Sequence, residues 1–367
     1  MRWLFPWRWF RRAPRKRRQR SRSPAAPARP NPPTTRPATR APKELFLDEG
    51  AERPVDLSGG LEASAPAPDR GEELRGKLQG LRENADEVER KLLSEIERGI
   101  KSGGLQLPPM PQVILRVHRL IDSGLFNMED LARGIELDPA LATKMVGVAN
   151  SPFYAGMEPA PSVRDAIVRV GMLETRNILM AIMLRSRVFR VPGFETLTQE
   201  MWEHALAASV TTRALAVHMR LDPDLGFLGG LVHDVGRGVV LSCAGDLRRR
   251  SRGRLQFDLA LLERVNECLH PGLGAVVANS WNLGDELGTA IAYHHEPEAA
   301  PESAQNFARL LWGGDQLAKE LCRRGQDDPP AGEELSPLIE PLGLTTELLD
   351  ELMAGAVEEF EELSKVL

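Results

Sequence analysis

At 367 residues the chain is long enough for two to three domains and a large core. Its net charge of −5 conceals an asymmetry: residues 1–43 hold fourteen Lys or Arg and no Asp or Glu, while the remainder carries 33 basic against 52 acidic side chains. That remainder, at −19, argues against a nucleic-acid-binding body and places any electrostatic partner at the N-terminal arm. Cys243, Cys268 and Cys322 form no CxxC pair and no disulfide framework, so each reads as a small core residue in a reducing compartment. No apolar run reaches the ~20 residues of a spanning helix, and arginines break any signal-peptide core. The expectation is a soluble, cytoplasmic protein.

Residues 1–22 set Trp3, Trp7 and Trp9 among arginines. Trp favours the membrane interface, and each basic side chain near anionic lipid contributes about 1 kcal/mol. The arm therefore reads as a peripheral anchor at the inner membrane face. An arm whose aromatics stack on nucleic-acid bases, and a tail with no partner, are the competing readings. Residues 23–71, rich in Pro, Ala, Arg and Ser, bury too little to fold and read as a disordered linker.

Within 72–102, Leu74, Leu78, Leu81, Ala85, Val88 and Leu92 follow a 4-3-4-3-4 spacing, weakened by Gly76 and Gly80. Two readings stand: a short coiled coil that makes a homodimer through 72–100, or one amphipathic helix packed on the body. The body, 103–323, starts after Leu107-Pro108-Pro109-Met110-Pro111 with a helix carrying Val113, Ile114, Val117, Leu120 and Ile121. His118 lies off that face and reads as a surface or core-edge residue. Asp138-Pro139 predicts a capped helix start, and Ser162 caps a helix that Gly171 ends. Another helix is predicted from Glu174 to Val188. Helical periodicity continues over 198–220, 226–242, 258–268, 270–281, 284–294 and 303–323, and over 345–365 in a C-terminal extension, 324–367. No strand alternation persists, so the fold class is all-α, a multi-helix bundle behind a disordered N-terminal extension.

Five of the seven histidines cluster with carboxylates in this pattern. Glu200 and His204 share a helix face. His233-Asp234 ends the apolar run Phe227 to Val232, His270 opens a predicted helix, His294-His295 ends another, and Asp315 sits within one. Imidazole and carboxylate donors without thiolate suit two divalent ions, Fe or Mn before Zn, at a hydrolytic centre. Each residue also has an ordinary explanation. Glu200 fits a solvated helix carboxylate, His204 a core-edge imidazole, and Asp315 a cap or an Arg partner. His218 is helix-surface material.

Taken together, Leu107 to Pro111, Asp138-Pro139, Asn150-Ser151-Pro152, Ser162 to Gly171, Trp202-Glu203-His204, Phe227 to Gly236 and Ala290 to Pro297 resemble an HDOD domain. This is the signalling branch of the HD phosphohydrolase superfamily. The resemblance implies an all-α regulatory module in bacterial signal transduction that contacts protein partners and is largely non-catalytic. The rival HD-GYP branch hydrolyses cyclic di-GMP at a two- or three-metal site. Its ligand pattern meets Glu200, His204, His233, Asp234, His270, His294, His295 and Asp315, with Asp234 and Arg237 in catalytic positions. Two departures weigh against that activity: no Gly-Tyr-Pro follows His294-His295, and Arg237 stands where that branch usually has Lys.

Overall fold

Thirteen α-helices and no strand are found among the described residues of a computed structural model, which describes residues 70–101, 114, 128–154, 156, 158–324 and 341–367. The arm, nearly all of the linker, the 107–111 segment, His118 and most of the helix around it lie outside the described residues. In chain order the helices are α1 (Arg70–Glu83), α2 (Glu87–Lys101), α3 (Met128–Glu136), α4 (Pro139–Ala149), α5 (Val163–Val170), α6 (Met172–Met183) and α7 (Glu195–Met219). They continue with α8 (Pro223–Val232), α9 (Val235–Arg250), α10 (Leu259–Ser280), α11 (Asp285–Tyr293), α12 (Glu302–Arg324) and α13 (Thr346–Val366).

The helix starts follow their caps. The Asp138 carboxylate accepts from the amides of Ala140 and Leu141, and Pro139 takes the first helical position. Ser162 accepts from the Asp165 amide, and Gly171, at φ 85°, ends α5. Asp222 and Asp258 cap α8 and α10 in the same way.

Three differences from the sequence reading bear on the site. The 226–242 periodicity is two helices, separated by a turn at His233–Asp234. Conversely, α10 runs unbroken through His270, with Pro271 inside it. An interior Pro costs about 3 kcal/mol, and burial of Leu262, Val265, Leu269 and Leu273 on one face outweighs it. Third, the predicted Glu174–Val188 helix changes to a π-helix over Leu184–Val188.

The long helix α7 is the axis of the bundle, with α8, α12 and α13 packed along it. Helices α9, α10, α11 and α12 then pack in succession. The 74–92 seam is buried within the chain. Leu74, Leu78, Ala85 and Leu92 face the core, α1 packs on α10 and α2 on α9. Leu74 lies directly on the α10 backbone at Gly272, where a Cβ would come within 3.0 Å of its Cδ1. Glu89 and Glu95 of α2 pair with Arg264 and Arg250. The packed-helix reading of this segment is the one seen.

The C-terminal helix also completes the body. Leu349, Met353, Ala356 and Leu363 are buried, and Glu359 pairs with Arg213 of α7 at 2.5 Å. The run Pro223–Arg250 is apolar and long enough for a membrane span, which the sequence reading did not anticipate. Its most apolar 18-residue window is 83% buried inside the bundle, and the run is interrupted by the His233–Asp234 turn, so it is a core element here. Cys243 is likewise a core residue; burial pushes its thiol up to about 12.

Candidate metal centre

Seven side chains from five places in the chain meet inside the bundle. His204 comes from α7, His233 and Asp234 from the turn between α8 and α9, His270 from the middle of α10, His294 and His295 from the end of α11, and Asp315 from α12. Glycines let the helices approach closely enough. A Cβ at Gly230 would lie 2.3 Å from the Ala208 carbonyl oxygen of α7, and one at Gly236 would lie 2.1 Å from the His270 carbonyl oxygen of α10. The glycines flanking His-Asp are therefore packing contacts that draw α7 and α10 against the turn.

The imidazoles are oriented by backbone carbonyls. His233 Nδ1 lies 2.7 Å from Gly230 O, His270 Nδ1 2.6 Å from Asn266 O, and His294 Nδ1 2.7 Å from Ile291 O. A carbonyl can only accept, so each Nδ1 carries a proton, and in the neutral form of each ring the lone pair lies at Nε2. These lone pairs converge. His270 Nε2 is 2.9 Å from His295 Nε2 and 3.4 Å from His294 Nε2, and His233 Nε2 is buried without a hydrogen-bond partner. Facing lone pairs repel unless a cation or a proton lies between them.

The donors fall into three overlapping groups: His204, His233 and Asp315; His270, His294 and His295; and His233, Asp234 and His294, which joins the first two. Asp234 stands between them. Its Oδ2 is 3.9 Å from His204 Nε2 and 3.7 Å from His233 Nε2, while its Oδ1 is 3.2 Å from His270 Nε2 and 3.8 Å from His294 Nε2. Asp315 Oδ1 is 3.1 Å from His204 Nε2 and 3.7 Å from His233 Nε2.

Burial alone would raise both carboxyls. Arg237 and the neighbouring histidines hold Asp234 well below the usual range, and Lys319 with His204 and His233 does the same for Asp315. Burial pushes His270 and His294 well down, with Arg237 and His295 adding to it. Loss of water around the inward-facing ring takes His295 to about 4, although its outer edge is exposed. His233 departs from this pattern: burial lowers it, but Asp234 and Asp315 outweigh that and draw a proton to it. The carboxylate side of the cluster favours positive charge.

Glu200 is not among the converging donors. It lies one turn before His204, half-buried, with its carboxyl raised to about 7 by burial and by Glu203. Arg237 Nε donates to Asp234 Oδ2 at 2.7 Å. Lys319, which the sequence reading passed over, contacts Asp315 Oδ2 at 2.5 Å. Its i,i+4 spacing from Asp315 on α12 was a readable signal.

A family model described as the HDOD domain matches residues 107–297, and Asp315 and Lys319 lie beyond that range. An uncharacterized protein of Treponema pallidum (strain Nichols) is 24% identical over 204 residues, 53% of this chain but only 39% of that protein's length. Among solved structures, a provisionally named metal-dependent phosphohydrolase from Shewanella amazonensis SB2B aligns with TM-score 0.55 at 19% identity, over 75% of this chain and 100% of its own. A provisionally named signal transduction protein from Marinobacter aquaeolei VT8 aligns with TM-score 0.53 at 25% identity, over 77% and 66%. These likenesses agree with the helical fold. The family model covers just over half of the chain, and on that ground the chain belongs to the HDOD family.

Proposed function

We propose that this protein is a signalling module whose HDOD body acts by contacting a protein partner, and that its histidine–aspartate cluster binds divalent metal without supporting turnover. One observation carries the non-catalytic part: an internal cation occupies an oxygen of each carboxylate. Arg237 holds Asp234 Oδ2 and Lys319 holds Asp315 Oδ2. Arg237 competes with an ion for Asp234 Oδ2, the oxygen that faces His204 and His233, which weakens but does not bar the reach of Asp234 to both donor groups. The two cations also offset the two carboxylates, so charge balance in the cluster does not require an ion.

The converging Nε2 lone pairs support metal binding itself, since neutral imidazole is the ligand form. His204, His233 and Asp315 would hold one ion, and His270, His294 and His295 another. A divalent ion in such a site lowers the pKa of bound water and polarises phosphoryl oxygens. The donor set favours Fe or Mn over Zn. A metal-dependent phosphodiesterase acting on cyclic di-GMP is the second reading, favoured by seven ligand-type side chains gathered in linked donor groups. The basic, Trp-rich arm would tether the body to an anionic membrane surface.

The test is elemental analysis of protein purified without chelator, followed by a cyclic di-GMP hydrolysis assay with added Mn. Bound metal with no hydrolysis above blank supports the regulatory reading. Hydrolysis that Asp234→Asn abolishes would establish the enzyme instead.

A further inference from the structure

A second feature lies outside the cluster. The π-helix Leu184–Val188, the loop through Gly193 and the C-terminal end of α9 enclose a cleft of about 720 Å³. Its walls carry Arg187, Arg190, Arg248, Arg249 and Arg252, with Asp246 the one acid among them. None of the walls belongs to the histidine–aspartate cluster.

Five guanidinium groups around one cleft repel each other. Asp246 offsets only Arg249, at 2.6 Å. Arg187, Arg190, Arg248 and Arg252 make no salt bridge within 4.0 Å among the described residues. Glu195, beside the loop, accepts from the Gly193 amide at 2.9 Å. The concentration of cations is unexpected in a body whose net charge is strongly acidic.

The cleft is also partly built. Gly193, at φ 87°, leaves room for Arg248 to lie across it, where a Cβ would be 2.5 Å from Arg248 Nη1. Arg248 Nη1 donates to the Gly193 carbonyl at 3.1 Å, and its guanidinium lies 5.9 Å from the centre of the Phe194 ring. Arg252 and Gly253, at φ 54° and 76°, turn the chain back after α9, and the Gly253 amide bonds to the Arg248 carbonyl. A left-handed Arg is disfavoured, the kind of local strain that gathers at ligand sites. A π-helix in the opposite wall is another such feature.

We infer that this cleft binds a phosphate-bearing small molecule of nucleotide size. Its volume lies in the range of small-molecule sites, about 300–1,000 Å³. Guanidinium forks match the several oxygens of a phosphate, and Arg187, Arg190 and Arg252, which have no carboxylate partner, beside Arg248 fit a diphosphate or triphosphate better than a single carboxylate. Helix α9 links the two sites, with Asp234 and Arg237 at its start and Arg248 and Arg249 at its end. The inference does not depend on the metal reading.

The test uses full-length protein, stripped of metal and desalted so that phosphate cannot bind through an ion at the cluster. Inorganic pyrophosphate and ATP are titrated calorimetrically into wild type, into R187Q/R252Q and into R254Q. Arg254 is exposed in the same basic run but does not line the cleft. The N-terminal arm is common to all three, so its attraction cancels. Saturable binding is expected in wild type, weakened about tenfold or more in the double variant and within about twofold in R254Q. Melting temperatures establish that each variant is folded, and R190Q replaces the double variant if that one is not. The absence of saturable binding at millimolar probe, or equal losses in R187Q/R252Q and R254Q, would overturn the inference. So would binding to RNA or anionic vesicles alone.

Discussion

At the scale of single residues, the cluster is organised by which atoms are already engaged. Three Nδ1 atoms are held by carbonyls, so in the neutral rings each Nε2 is an acceptor: those of His270 and His294 lie 3.4 Å apart, while His233 Nε2 faces Asp234 and Asp315 at 3.7 Å. Asp234 faces both donor groups, whereas His295 belongs to only one. Asp234→Asn should therefore strip the protein of most of its metal, while His295→Ala should remove about one ion per chain and leave the His204 group loaded. Elemental analysis of the two variants separates these outcomes, and equal losses in both would mean the groups are not distinct. Seven of these residues are legible in the sequence because imidazoles and carboxylates gather there at helix-compatible spacings. Glu200, four residues before His204 on the same helix face, stands outside the donor groups found among the described residues. Spacing places a residue on a face of a helix but does not say how far along that face the partner helices reach.

At the scale of elements, the glycines decide whether the helices can meet. Gly236 sits against the His270 carbonyl, closer than any side chain could be accommodated. Gly236→Ala should destabilise the protein by about 1–3 kcal/mol through overpacking and should loosen metal binding, because α10 carries His270. A thermal melt and the metal content of the same sample check both, and an unchanged melt would mean that α9 and α10 shift apart freely. The amphipathic faces of α1 and α2 were legible from their spacing, but the partner was not: the same stripe serves a second copy or the body equally well. Burial of Leu74, Leu78 and Leu92 against α9 and α10 answers that within the chain. Pro271 shows the opposite limit. Local propensity calls for a helix end, and burial on both sides keeps α10 continuous.

At the scale of the whole molecule, buried ionisable groups set opposing pH dependences. His295 sits near 4 in the fold against an ordinary value of 6.5, and His270 and His294 are also pushed down. As pH falls below about 6.5 the unfolded chain takes up these protons first, so metal-free protein should lose stability progressively toward pH 4. Glu359 works the other way. Burial lifts it to about 7 where it and Glu174 share the single guanidinium of Arg213, so its contribution is lost as pH rises from about 4.5 to 7. Urea midpoints between about pH 4 and 8 should fall on the acid side, and Glu359→Gln should remove the loss attributed to α13 on the rising side. A profile unaltered by that substitution would show that α13 does not feel this titration.

The all-α class, most helix starts and the identity of the cluster were determined by the sequence alone. Each rests on local chemistry: a capping Asp or Ser, a 3.6-residue stripe, or a ligand-type side chain. The tertiary structure decided what those local rules leave open. It buried the 74–92 seam, split the helix at His233–Asp234, kept α10 whole through Pro271, excluded Glu200 from the converging donors, and placed Arg237 and Lys319 on the two carboxylates. The physical reason is common to all five. Which atoms meet depends on packing between elements far apart in sequence, and its energy, summed over many buried contacts, exceeds the local preferences that a sequence displays.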